Sequence, residues 1–143
     1  MLVASKIVKA GGTRNCTLSY EDRFLRRKVL TSDDGTQFLV DLAHTTSLEE
    51  GDGFALEDGS VISVRAALEP LLEITATNLL PLVWHIGNRH CPAQIEQGRV
   101  LVQPDHVIHD LMKKLGAKVR EVKEPFTPEG GAYGHGRTHS HAH

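Results

Sequence analysis

DHVIHDLMKKLGAKVREVKEPF, residues 105–126, places a helix directly before a strand, and its reading decides the fold of the second half of the chain. Asp105 is a good helix N-cap, because a carboxylate there accepts from the free amides of the first turn. Val107, Leu111 and Leu115 follow at i, i+4 and i+8, and Ile108 and Met112 extend the same apolar stripe. Gly116 suits the end of that helix. AKVREVKEPF (117–126) then reads as a strand.

Moving toward the N-terminus, RVLVQ (99–103) and PAQIEQ (92–97) read as two short strands around Gly98. Asn78 is predicted to cap a helix over LLPLVWHI, with Pro81 tolerated in its first turn and Gly87-Asn88 as its stop. LLEITAT (71–77) is rich in apolar and β-branched residues and reads as a strand. The resulting order, β-α-β-β-α-β, is the split βαβ or ferredoxin-like arrangement. Past Phe126, TPEGGAYGHGRTHSHAH is too rich in glycine and polar residues to pack, and it is expected to be a mobile tail.

The first half has a different texture. RKVLTSDDGTQFLVDL predicts two strands joined by a turn at Ser32–Gly35, and GDGFALEDGSVISVRA repeats the device around Glu57-Asp58-Gly59. Turn signals recur about every dozen residues with no convincing helix, which suggests a small sandwich or half-barrel. The expected class is therefore α+β: an all-β domain over 1–69, a ferredoxin-like domain over 70–126, and a flexible tail over 127–143.

Composition narrows the function. The net charge is −2 with histidines neutral, and no long basic stripe is present, which argues against nucleic acid or an anionic membrane as main partner. MLVASKIVKA lacks the apolar core of a signal peptide, and no apolar run approaches the ~20 residues that span a bilayer. A cytoplasmic location is expected. Cys16 and Cys91 are too far apart in sequence to form a CxxC pair, so they imply neither a disulfide framework nor a thiolate metal site. With nine histidines, any metal site would be built on imidazole. RFLRRK (23–28) reads as an exposed strand face that could help recognise an acidic partner.

No GxSxG elbow, HExxH, P-loop or strand-to-helix GxGxxG is present. His90-Cys91 is a conceivable dyad, but sequence neighbours rarely adopt that geometry. Cys91 reads better as a small buried hydrophobe, and His90 as a loop residue bonded to backbone. His44 and His85 are most simply structural. GDG and EDG are turns, since a calcium loop needs a denser set of oxygens.

His106 is the most suggestive single residue. It starts the helix after the Asp105 cap, and its side chain should project near the helix end. Read alone it is a surface histidine beside a cap, and His109, one turn on, could share its face. A two-fold dimer changes the count, because symmetry sets two copies of such a residue opposite one another. Further ligands could come from His135, His139, His141 and His143 in the tail. Tail histidines often merely solvate, and purification tags carry histidine too. A tag, however, is usually an unbroken run, whereas these are spaced by other residues, which favours native metal binding. Imidazole suits Ni, Zn and Cu, and the lack of thiolates disfavours Cu(I) and iron–sulfur clusters.

GNRHCPAQI, then DHVIHDLMKKLG, then EPFTPEGGAYG with a histidine-rich end, in that order, resemble the UreE family of urease accessory proteins, which are nickel metallochaperones. EDR…TSDDGTQFLVDL…SLEEGDGFALEDG resembles the N-terminal β domain of the same family, so the likeness spans essentially the whole chain. The resemblance implies a partner-binding β domain, a ferredoxin-like domain that binds metal and forms a homodimer, and a function that is not enzymatic. It implies Ni²⁺ as the cargo; imidazole donors would also take Zn²⁺ or Cu²⁺ in vitro, and an ion shared between dimers would link them into a higher oligomer. It implies His106 as the central ligand, supplemented by tail histidines that the motifs do not single out. REVKE (120–124) has no histidine, so an auxiliary site found on the last strand in some members is expected to be absent. The implied partners are a urease assembly GTPase and apo-urease. A metal buffer with no delivery role is one rival. A metal-dependent hydrolase is the other, although it would need a fixed three-ligand site and a general base.

Overall fold

The computed structural model describes residues 1–130, in two compact units, Met1–Ala67 and a second that begins at Leu68. The first unit is one curled sheet. It comprises β1 (Val3–Val8), β2 (Arg14–Leu18), β3 (Phe24–Thr31), β4 (Gln37–Ser47), β5 (Gly53–Leu56) and β6 (Val61–Ala66), in the order β2-β6-β5-β1-β4-β3. The two hairpins form where the turn signals lie: β3 pairs antiparallel with β4, and β5 with β6. Gly59 takes φ +90° in the second turn, where a side chain would be strained. The parallel pairs β1/β4 and β2/β6 bring distant segments together. Buried Phe38 and Phe54 meet edge to face, with ring centroids 5.3 Å apart, at the centre of this core.

RFLRRK does not form one exposed face as expected. Arg23 is buried, and its guanidinium donates to the carbonyls of Leu18 and Leu48. Its head is thereby satisfied by backbone oxygens, which is what allows a charge inside a core. Leu25 is also buried, whereas Arg26, Arg27 and Lys28 are exposed.

The second unit comprises β7 (Leu68–Thr75), α1 (Leu80–Asn88), β8 (Ala93–Ile95), β9 (Val100–Val102), α2 (His106–Lys114) and β10 (Lys118–Pro125). Its sheet runs β10-β7-β9-β8 with every pair antiparallel, as expected for the ferredoxin-like order. Leu72, Ile74, Val100 and Val102 pack on one face with Leu82 and Ile86 of α1 and Ile108 and Met112 of α2.

Three local expectations are corrected. The N-cap of α1 is Leu79, not Asn78, although the Asn78 side chain still accepts from the Leu80 amide. Gly87 lies inside α1, which runs to Asn88 with Arg89 as its C-cap, before His90 takes a left-handed φ of 59°. The buried stripe of α2 is Ile108 and Met112 with half-buried Leu111, while Val107 and Leu115 are 40% and 42% exposed. The i, i+4, i+8 pattern therefore ran along the edge of the buried face, one residue away from its centre.

Candidate metal centre

Asp105 has extended backbone, and its Oδ1 accepts from the amides of Val107 at 2.8 Å and Ile108 at 3.1 Å. That cap fixes the start of α2 and with it His106, the first residue of the helix. Ile108 is drawn into the core one residue after Val107, so His106 lies on the outer side and is exposed. Its ring makes no hydrogen bond to another described residue. His109 is half-buried, with Nδ1 3.4 Å from the Asp110 carboxylate, which is long for a hydrogen bond.

An open cavity of about 760 Å³ adjoins the same helix end. The α1–β8 loop lines it with Arg89, His90 and Cys91, and the β9–α2 loop lines it with Gln103 and Asp105. Burial, reinforced by the Asp105 carboxylate, pushes the Cys91 thiol up from its ordinary value. That is the reverse of what a nucleophilic thiolate requires. Nothing in the pattern of the GNRHCP stretch signals the cavity, because its walls come from two loops that meet only when β8 pairs with β9.

Among the described residues, no three His, Cys, Asp or Glu side chains come together where they could hold an ion. His106 is thus an exposed donor that belongs to no three-ligand cluster among the described residues. The expected tail ligands His135, His139, His141 and His143 lie outside the described residues. His44 is exposed on β4, and His85 is half-buried edge to face with Trp84, at 5.0 Å between centroids.

Comparison with known proteins agrees with this architecture in both units. Residues 69–143 match the C-terminal domain of the UreE urease accessory protein, and residues 6–67 match its N-terminal domain. The chain belongs to the UreE urease accessory protein family. A UreE from Ruegeria pomeroyi is 66% identical over 127 residues, which cover 89% of this chain and 85% of the relative. One from Ruegeria sp. strain TM1040 is 61% identical, over 88% of this chain and 72% of the relative. One from Rhodobacter capsulatus is 51% identical over 144 residues, 98% of this chain and 92% of its own length. Among the described residues of this UreE-family chain, no helix is long and apolar enough to cross a membrane.

Proposed function

We propose that the chain is a non-catalytic, cytoplasmic nickel carrier for urease maturation that binds Ni²⁺ as a homodimer. The observation that carries this reading is the exposed His106 at the capped start of α2 in a UreE-family chain. One imidazole is too small a ligand set for an ion, and a two-fold axis beside it doubles the set. Val107, exposed next to His106, supplies apolar surface that such an interface would cover. The remaining positions would be filled by His135, His139, His141 or His143, and imidazole donors suit Ni²⁺ while also accepting Zn²⁺ and Cu²⁺.

A carrier must let its ion go. Ligands on the surface, completed by histidines from a separate segment, can be exchanged one at a time, which favours transfer over storage. The first unit would engage the protein partners, a urease assembly GTPase and apo-urease among them.

The experiment is calorimetric titration with Ni²⁺ alongside a mass measurement. His106→Ala should remove the tight site of each dimer, and replacing the four tail histidines with alanine should weaken it. The reading fails if His106→Ala binds as wild type while the tail replacement abolishes binding, since the protein would then be a histidine sponge.

A further inference from the structure

After β10 the chain crosses the sheet. Pro125 is still paired with Leu68 of β7, at one edge of the order β10-β7-β9-β8. Two residues on, the Thr127 amide donates to the side chain of Gln94 in β8 at 2.9 Å, and the Glu129 amide donates to the Ala93 carbonyl at 2.8 Å. Both acceptors belong to the opposite edge strand.

Side-chain alternation shows which face is crossed. Ala93 and Val119 pack with the helical core, so Gln94 and Phe126 stand on the face without helices. Phe126 is fully buried there. The sheet is three strand spacings wide, about 14 Å. The four peptide steps from Pro125 to Glu129 reach about 14 Å at full extension. Ala93 lies level with Glu121 rather than with Pro125, so the segment has to run extended and diagonally. Its sequence suits that, because Pro125 and Pro128 fix their own φ and push Glu124 and Thr127 toward extended backbone.

We infer that residues 126–129 are a strap, held by Gln94, that delivers the root of the histidine-bearing tail to the His106 end of the domain. Ala93 follows Cys91 and Pro92, which line the cavity shared with Asp105, the residue before His106. Without the strap the tail would start from the far edge of the sheet. Gln94 is thus a positioning residue for the proposed nickel site, and the inference rests on that functional reading.

The effect follows from tether length. His135 is six positions on from Glu129 and ten positions on from Pro125. Effective concentration falls roughly as the −3/2 power of length, and a displaced root lowers it further. Releasing the strap should therefore weaken a tail-assisted site about two- to fivefold, with the largest loss if His135 is the ligand.

The test is Ni²⁺ titration of Gln94→Ala in two backgrounds: the native chain, and the chain with His135, His139, His141 and His143 replaced by alanine. Affinity should fall in the first and stay unchanged in the second, while hydrogen exchange at the Glu129 amide speeds up in both. An equal loss in both backgrounds would make Gln94 a structural residue and overturn the strap. Unchanged affinity in the native chain with a freed Glu129 amide would overturn it too. Failure of the nickel reading itself would look different, since His106→Ala and the tail replacement would then leave binding intact.

Discussion

The Asp105 carboxylate accepts the Val107 amide at 2.8 Å across His106, so the residue that would hold the metal is pinned between a cap and the group it caps. Asp105→Ala removes the acceptor for two amides of the first turn. The expected cost is about 1 kcal/mol of stability, read by urea unfolding. Nickel affinity should fall as well, because His106 then sits on a frayed turn. Asp105→Asn keeps an acceptor oxygen and should retain most of both properties. Equal losses in the two variants would mean that the cap does not set the position of His106.

Val107 tests the proposed dimer. It is 40% exposed beside His106, and a charge buried there without a partner costs on the order of 2 kcal/mol or more. That corresponds to about thirtyfold in the dimer dissociation constant. Val107→Lys should therefore shift sedimentation toward monomer and lose the tight nickel site together with the dimer. A Val107→Lys protein that stays dimeric at micromolar concentration would place the interface elsewhere.

The helix-free face of the second sheet is organised around Arg99. Its guanidinium donates to Glu124 at 2.6 and 2.7 Å, to Glu96 at 3.1 and 3.2 Å and to Glu73 at 3.0 Å. Arg99→Ala leaves Glu96 and Glu124 without their cation and Glu73 with Arg120 alone, and it should cost about 1–3 kcal/mol in chemical denaturation. Arg99→Lys keeps the charge without the planar fork and should fall between the two. The Arg99 hydrogen bonds hold the Glu124 carboxyl below its ordinary 4.5. A depressed carboxyl stabilises the fold fully above that value, and the contribution is lost as pH falls through the lower folded one. The acid limb of the stability curve should accordingly flatten in Arg99→Ala.

How far the sequence carried depended on whether a feature was local. The hairpin turns and the Asp105 cap were legible because the residues that cause them sit within a few positions of each other. The ferredoxin-like order followed from alternating strand and helix signals. The α2 stripe was read too wide, because Val107 and Leu115 fit helical periodicity as well as Ile108 and Met112, which do form the buried face with half-buried Leu111. Only the packing of Leu72, Ile74 and Val102 against Ile108 decides between them. Arg23 was misread because its acceptors, Leu18 and Leu48, come from other segments. The left-handed His90 had no signal, since glycine or asparagine ordinarily announces that conformation. The Gln94–Thr127 bond joins residues 33 apart and could be found only in the folded chain.

The two thiols should differ in reactivity even though neither is paired in a disulfide. Burial pushes Cys16 up to about 11, and the Asp33 carboxylate adds to it. Cys91 is raised in the same direction but is only half-buried. At pH 8 an alkylating reagent should modify Cys91 slowly and spare Cys16 until the protein unfolds. The shift also predicts a slope. A thiol raised in the folded state binds its proton more tightly there, so its contribution is complete below about 9 and lost as pH rises toward 11. Wild type should lose up to about 2 kcal/mol over that window through Cys16, and Cys16→Ala should lose less over the same interval. Rapid labelling of Cys16 in the folded protein at pH 8 would contradict its burial.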